Sequence, residues 1–322
     1  MKIYLVEMHM KNSMKNKKTT LKRIIKIGLI ICGILIFMAL IFFKIEEISD
    51  VIIRFKAKLF ATNWKNTQVD FSRYEPMQDD PDAWYSTSEL VLHACGGIEG
   101  KTYTNSKSAL EENLQKGHRV VEIDLAVTSD GEVVGKHNWA GQAPTYEEFM
   151  STPIEYLYEP LDASQILDYM TQYPDLYIVT DIKGDREYIG SVFEKIVELA
   201  GKKDCTDVLD RFVVQIYYKK DYDYIKNIYP FTNWIYTLYE SADRDLNAIA
   251  EFCLTHDIPV VTMPNGWVQD AEYISVFNEM NIKVYVNTLN SLDLMKTYRD
   301  RGVYGFYTDY IKPQDLSVVG LQ

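Results

Sequence analysis

The feature that most constrains the fold is a regular alternation of short apolar runs with helical patterns. Continuous runs such as YIVTDI and PVVTM are rich in β-branched residues, as expected of strands that are buried on both faces. Alternation of strands and helices predicts parallel pairing, and eight strand units predict a closed (β/α)8 TIM barrel, with an open, doubly wound sheet as the alternative. The eight predicted strands cover residues 90–94, 120–127, 177–182, 212–217, 234–239, 259–263, 283–288 and 304–308.

Helical patterns with polar N-cap candidates separate most of these runs. One additional strand is predicted at 133–137, after a TSDGEV turn, as the hairpin partner of 120–127. Residues 139–161 are predicted to form a loop insertion at the same rim, where such a loop can cap a pocket. The clearest helical patterns lie at 105–117, 185–201, 243–256 and 291–302.

An uncharged apolar block from Ile27 to Phe43 differs in composition from the rest of the chain. At about 1.5 Å per residue, such a helix reaches the lower limit for crossing the hydrocarbon core of a bilayer. Lysines and arginines dominate the residues before it, so the positive-inside rule predicts a single-pass anchor with a cytoplasmic N-terminus. A cleaved signal peptide is the alternative, but no small-x-small cleavage site follows Phe43.

The sequence therefore predicts four segments. They are a basic cytoplasmic N-terminus (1–26), a transmembrane anchor (27–43), a juxtamembrane stalk and lead-in (44–86), and a barrel domain (87–322) outside the cytoplasm. The formal net charge of the whole chain is −12, and the basic N-terminus makes the remainder still more acidic. An acidic surface repels phosphate backbones, which argues against nucleic acid as a partner.

Acidic and imidazole side chains lie at the ends of the predicted strands, where the catalytic groups of such barrels are found. Glu122 and Asp124 alternate within VVEIDLAV, so they point to the same side of a strand and can hold one cation together. His93 closes the first apolar run, and His137 closes VVGKHN. Other candidates at strand ends or near the predicted mouth are Asp181, Lys183, Gln215, Asn287 and Trp139.

At these positions the sequence resembles the glycerophosphodiester phosphodiesterase family, whose members are metal-dependent (β/α)8 phosphodiesterases. The resemblance covers most of residues 90–310. The family motifs are a histidine after the first strand, E-x-D on the second, T-x-D-G-x-x-V-x-x-H, an acid-x-lysine on the third, and a closing G-x-x-G-x-x-T-D. The corresponding segments here are HACGG from His93, EID from Glu122, TSDGEVVGKH, DIK from Asp181, and GVYGFYTD.

The resemblance implies a role for most of these residues. His93 and His137 would form a general acid–base pair, since imidazoles titrate near neutral pH. A divalent cation would be bound by Glu122, Asp124 and Asp181, and their oxygen ligands favour Mg²⁺ or Ca²⁺. Phosphate-binding residues would include Lys183 and Asn105, the latter in the YTNS turn, where it could instead be the N-cap of the next helix.

Two departures from the family pattern weaken the prediction of the substrate more than that of the chemistry. Ala94 replaces the arginine of the usual H-R-G, and Asp181 replaces a glutamate. The expected substrate is a glycerol-phosphate-containing small molecule, lipid head group or envelope polymer. The alternatives are a metal-independent phosphatidylinositol phospholipase C-like barrel, a glycosidase that uses Glu122 and Asp181, and a catalytically silent envelope-binding barrel.

Overall fold

A closed barrel of eight parallel strands forms the centre of the computed structural model, which describes residues 67–241 and 243–317. The strand order is β1-β9-β8-β7-β6-β5-β4-β2, and pairing of Leu92 with Val121 joins β1 to β2 and closes the barrel. This closure confirms the predicted (β/α)8 architecture over an open sheet. The barrel strands are β1 (Leu90–Leu92), β2 (Val120–Val127), β4 (Tyr177–Asp181), β5 (Phe212–Ile216), β6 (Asn233–Thr237), β7 (Val260–Pro264), β8 (Lys283–Asn287) and β9 (Gly305–Thr308).

One additional strand, β3 (Val133–Gly135), is not part of the barrel and pairs antiparallel with β2. This pairing confirms the hairpin predicted from the TSDGEV turn, and it returns the chain from the end of β2 toward Asp124. His137 follows two residues after β3, so the hairpin carries it back to the level of Asp124, whose carbonyl oxygen accepts from the N–H of Lys136.

Helices cover the outside of the barrel, and polar N-caps start most of the long ones. Side chains of Ser106, Asp162, Asp185, Asp245 and Ser291 accept the capping hydrogen bonds. The described helices are α1 (Trp84–Thr87), α2 (Lys107–Gln115), α3 (Tyr146–Met150), α4 (Ala163–Gln172), α5 (Arg186–Lys202), α6 (Lys219–Lys226), α7 (Leu246–Thr255), α8 (Ser275–Glu279), α9 (Leu292–Arg299) and α10 (Pro313–Leu316).

The insertion between β3 and α4 is partly ordered into secondary structure. The predicted loop 139–161 contains α3, which a capping box between Thr145 and Glu148 starts. A short antiparallel bridge joins Ile154 to Tyr158. These local interactions give the insertion a defined shape at the carboxyl-terminal end of the barrel.

The opposite, amino-terminal end of the barrel is closed by aromatic side chains. Trp84 and Tyr85 are buried there against a ring of residues contributed by the barrel strands, among them Val91 and Tyr285. Segment 67–83, which the sequence analysis assigns to the lead-in, hydrogen-bonds to α7 and to the residues around α8, for example through Tyr74 and Met77.

The predicted anchor at 27–43 lies outside the described residues, as do segments 1–26 and 44–66. Among the helices of 67–241 and 243–317, none combines the length and the apolar character that a membrane crossing requires.

Candidate active site

Three carboxylates meet inside the carboxyl-terminal end of the barrel. Glu122 and Asp124 share one side of β2, and Asp124 lies in register with Asp181 on β4. One oxygen from each of the three lies within 4.8 Å of the others, and all three side chains are buried. The structure thus brings together the three residues that the sequence predicts to be metal ligands.

The surroundings of this cluster favour a bound cation. Glu122 Oε2 accepts a hydrogen bond of 2.7 Å from the backbone N–H of Ala94, whereas its buried Oε1 has no hydrogen-bond partner among the described residues. Burial, reinforced by Asp124 and Asp181, raises the pKa of Glu122 well above its usual range. Burial and Asp181 also raise the pKa of Asp124.

An unpartnered buried oxygen and three mutually repelling carboxylates are both expected where a hard cation belongs. The donor set consists of oxygen atoms, which suits Mg²⁺ or Ca²⁺ and not softer metals. The residues present therefore fit a divalent cation held by Glu122, Asp124 and Asp181.

Asn105 fixes the orientation of Asp124 and does not cap the following helix. Its Nδ2 donates to Asp124 Oδ2 at 2.8 Å, and its Oδ1 accepts from the backbone N–H of Asp124 at 2.9 Å. The N-cap of α2 is Ser106. Asn105 is buried and does not line the cavity. It therefore positions the predicted metal ligand Asp124 and does not contact a substrate directly.

Both predicted catalytic histidines line one cavity of about 520 Å³. His93 Nδ1 lies 2.9 Å from Asp309 Oδ1, and Asn290 Nδ2 donates to the other oxygen of Asp309 at 2.7 Å. The ring of Tyr103 stands edge-on to both imidazoles, with centroids 4.4 Å from His93 and 6.2 Å from His137. Because Nδ1 of His93 contacts Asp309, its Nε2 is left to contact a substrate.

A lysine and two phenols surround Asp181 on the other side of the cavity. Lys183 Nζ lies 3.0 Å from Asp181 Oδ2 and donates to Tyr239 Oη at 2.6 Å and to Tyr217 Oη. Tyr217 Oη donates to Asp181 Oδ1 at 2.7 Å. Burial and the neighbouring carboxylate raise the pKa of both phenols, so they are neutral hydrogen-bond donors at physiological pH.

The turn that replaces the family's H-R-G is compact and buried. Ala94 (φ 49°), Cys95 (φ 65°) and Gly96 (φ 83°) all have left-handed backbone conformations. The Ala94 methyl group is fully buried, and its N–H is bonded to Glu122. Lys183 is the lysine that lines the cavity in the described part of the chain.

The remaining predicted pocket residues lie in different places. Asn287 lines the cavity, and its Oδ1 has no hydrogen-bond partner among the described residues. Gln215 is buried beneath the cavity and donates to Tyr217 Oη at 2.9 Å. Trp139 is not among the residues that line this cavity. It donates to the carbonyl oxygen of Val127 and lines a neighbouring cavity of about 470 Å³.

Two site residues have no distinctive signal in the sequence. Tyr239 is two residues beyond the end of β6, and Asn290 is three beyond β8. Their only signal in the sequence is a polar tip just after an apolar run, which many packing residues share. Asp309, in the closing T-D motif after the eighth predicted strand, is a candidate pocket residue from the sequence, but its contact with His93 links the first and last strands of the barrel.

No protein-family sequence model and no curated protein sequence matches this chain. Its structure is nevertheless similar to those of glycerophosphodiester phosphodiesterases. An Oleispira antarctica phosphodiesterase in complex with the product sn-glycerol-3-phosphate has 18% identity and a TM-score of 0.60, covering 73% of this chain and 98% of that one. A Parabacteroides distasonis glycerophosphodiester phosphodiesterase has 16% identity and a TM-score of 0.57, covering 71% and 95%.

A third such enzyme, from Thermotoga maritima, has 18% identity and a TM-score of 0.54, covering 72% of this chain and 97% of that one. At these identities the likeness establishes the fold. The described domain thus has the barrel of glycerophosphodiester phosphodiesterases, and nearly the whole of each compared chain is matched by it.

Proposed function

We propose that this protein is a metal-dependent phosphoric diester hydrolase that acts on glycerophosphodiesters. The observation that carries the proposal is that His93 and His137 line one cavity together with Asp124 and Asp181, two members of the buried carboxylate cluster, in a phosphodiesterase-type barrel. The product bound to the Oleispira antarctica enzyme, sn-glycerol-3-phosphate, supports a glycerol-phosphate-containing substrate.

The residues of the cavity can perform each part of phosphodiester cleavage. A divalent cation on Glu122, Asp124 and Asp181 would polarise a phosphoryl oxygen. Lys183 donates to a non-bridging oxygen and stabilises the charge that develops on it. His93 takes the proton from the attacking hydroxyl, which is the substrate's own hydroxyl next to the phosphate, as the new P–O bond forms. His137 gives a proton to the leaving alkoxide as the old P–O bond breaks, and water then opens the resulting cyclic phosphate.

The decisive experiment is turnover of a phosphodiester panel by the full chain in detergent, with and without a chelator. The panel contains glycerophosphocholine, glycerophosphoglycerol, a lysolipid and an inositol phosphodiester. We expect hydrolysis of a glycerophosphodiester that stops on chelation and returns with Mg²⁺ or Ca²⁺. Hydrolysis of the inositol phosphodiester that ignores chelation would support the phosphatidylinositol phospholipase C-like alternative instead.

Replacement of each histidine tests its assignment. We expect His93→Ala and His137→Ala each to lower kcat by at least about 100-fold, because each removes one proton transfer. His256→Ala is the matched control, since His256 lies at the end of α7 and lines no part of this cavity. Full activity in both cavity variants would overturn the mechanism.

The proposed location is the cell membrane, with the anchor at 27–43 and the barrel domain outside the cytoplasm. Two features of the sequence support it, the apolar block and the basic residues that precede it. Sodium carbonate extraction of membranes tests this location, since an anchored protein stays in the pellet and a peripheral one is released.

A further inference from the structure

Large apolar side chains are strongly exposed at one end of the described domain and not at the other. Tyr103, Tyr218 and Tyr310 lie in the connections that follow β1, β5 and β9, and Leu294 lies in the first turn of α9, which follows β8. The remaining two are at the tip of the insertion. We call these residues the rim set: Tyr103, Tyr156, Leu157, Tyr218, Leu294 and Tyr310.

Every member of the rim set lies at the carboxyl-terminal end of the barrel, and Tyr103 and Tyr218 line the cavity itself. Among the described residues, no other large apolar side chain is as exposed. Single exposed apolar residues are ordinary, but their restriction to one face marks an interaction surface.

The tip of the insertion projects furthest into solvent. Tyr156 is 94% exposed and Leu157 is 69% exposed. The bridge between Ile154 and Tyr158 closes the turn that carries them, and Glu155 forms an ion pair of 3.2 Å with Lys101. The tip is therefore tied to the loop after β1 and holds its two apolar side chains away from the protein.

The first described residue, Thr67, also lies at this end of the barrel. The backbone N–H of Thr67 donates to Asp245, the N-cap of α7, which is the helix that follows β6. Asn247 Nδ2 donates to the Thr67 carbonyl oxygen at 2.8 Å. The N-terminus of a helix that follows a barrel strand lies at the carboxyl-terminal face. Thr67, the first described residue, thus lies at the cavity end of the barrel, and the predicted anchor at 27–43 precedes it in the sequence.

We propose that the rim set is a contact surface for a lipid bilayer, so that the catalytic cavity opens toward the membrane and Tyr156 and Leu157 insert into it. Aromatic and aliphatic side chains on a rigid tip suit the boundary between head groups and acyl chains. The chain carries a net charge of −12, so this contact depends on apolar insertion and the tether, and high salt should not release it.

Fluorescence quenching in proteoliposomes tests the contact without any measurement of activity. The full chain would carry Cys32→Ser, and a fluorophore would be attached at Tyr156→Cys or, separately, at Leu157→Cys. Cys95, Cys205 and Cys253 are buried and do not compete for the label. Asp175→Cys is the matched control, because Asp175 is exposed two residues before the start of β4, at the amino-terminal end of the barrel.

We expect spin-labelled lipids to quench the fluorophore at both tip positions several-fold more than at the control position. Equal, weak quenching at all three positions would overturn the proposal. A blue shift at the tip without lipid quenching would also overturn it, because it would indicate contact with protein and not with lipid.

A second measurement rests on the proposed function. The variant Tyr156→Ser with Leu157→Ser should lose several-fold in turnover of a bilayer-embedded lysolipid while it retains turnover of soluble glycerophosphocholine. Equal losses on both substrates, or none, would contradict the surface. If the unmodified protein hydrolyses neither substrate, the proposed function fails, and the quenching result still decides whether the rim set binds lipid.

Discussion

At the scale of single residues, the arrangement around His93 shows how the site is oriented. Asp309 engages His93 Nδ1 and is itself held by the side chain of Asn290. A carboxylate in this position selects the imidazole tautomer and stabilises the imidazolium ion when it forms. Asp309 is therefore a positioning residue for the predicted general base.

Asp309→Asn tests that role. We expect kcat to fall by on the order of 100-fold with little change in KM, because the imidazole loses its orienting charge while the substrate contacts remain. Circular dichroism would show that the variant is folded, and Asp300→Asn, at the exposed end of α9, is the matched control. A rise in KM at constant kcat would assign Asp309 to substrate binding instead.

His118 is a residue of a different kind, buried without a role in catalysis. Its Nε2 has no hydrogen-bond partner among the described residues, and burial, aided by Lys116 and Arg119, lowers its pKa from 6.5 to about 4. The folded state therefore keeps His118 neutral at pH values where the unfolded chain binds a proton. Stability is unaffected above the unfolded pKa and is lost as the pH falls from about 6.5 toward about 4.

This linkage predicts that His118→Leu makes the protein less sensitive to acid. Between about pH 7 and about pH 5 the wild-type protein should lose roughly 2 kcal/mol of unfolding free energy through this group alone, and the variant should be spared that loss. Urea unfolding at the two pH values measures the difference. Identical losses in both proteins would show that His118 is protonated in the folded state.

At the scale of elements, β2 explains how much of the site the sequence could predict. The alternation in VVEIDLAV places Glu122 and Asp124 on one side of the strand, and parallel pairing then brings β4 and Asp181 alongside. Both facts follow from periodicity. The contact between His93 and Asp309 spans 216 positions of sequence and depends on closure of the barrel, which strand counting suggests but cannot establish.

Local polar contacts were harder to predict than the strands. Asparagine is a common N-cap residue, yet the side chain of Asn105 donates a hydrogen bond to Asp124, and Ser106 caps the helix. Either residue type can cap, so the choice between neighbours depends on tertiary packing. The capping box of Thr145 and Glu148 was visible as T-x-x-E, but the surrounding segment lacked the length that marks a helix.

Because β2 and β4 bring three carboxylates together, we expect Glu122→Gln to stabilise the metal-free protein. In the metal-free protein this change removes one ionisable group from a mutually repelling cluster, because a neutral amide replaces the buried carboxyl group whose Oε1 has no partner among the described residues. A gain of about 1 kcal/mol would raise Tm by a few degrees in a domain of this size. Addition of Mg²⁺ or Ca²⁺ should stabilise the wild-type protein and have much less effect on the variant.

Differential scanning calorimetry with and without a chelator measures both effects. Glu89→Gln is the control, because Glu89 lies before β1 and pairs with Arg299, outside the carboxylate cluster. Equal stabilisation of wild-type and variant protein by the cation would show that Glu122 is not a ligand.

At the scale of the whole molecule, the two ends of the barrel serve different purposes. The carboxyl-terminal end is an open cavity with charged walls, whereas the amino-terminal end is filled by Trp84 and its neighbours. The acidic, turn-rich sequence before residue 87 predicts a stalk and lead-in over 44–86. In the structure, residues 67–86 pack on the barrel and complete its core, so the folded unit includes them.

Trp84→Ala tests whether the aromatic plug, formed by Trp84 and Tyr85 at the amino-terminal end, stabilises the barrel. Trp84 is fully buried, and its ring centroid lies 5.7 Å from those of both Tyr85 and Tyr285. Removal of the indole should lower the free energy of unfolding by about 3–5 kcal/mol. Trp84→Phe should cost only about 1–2 kcal/mol, because it keeps an aromatic ring and removes an indole N–H that has no partner among the described residues.

Urea unfolding of the full chain in detergent, followed by circular dichroism, measures both variants. The plug lies at the end of the barrel opposite to the cavity, so kcat should be unchanged in both variants under conditions where they remain folded. A destabilisation as large for phenylalanine as for alanine would mean that the indole itself, and not the filled volume, holds this end together. A loss of less than about 1 kcal/mol in Trp84→Ala would show that residues 67–86 are an appendage and that the barrel core is complete without them.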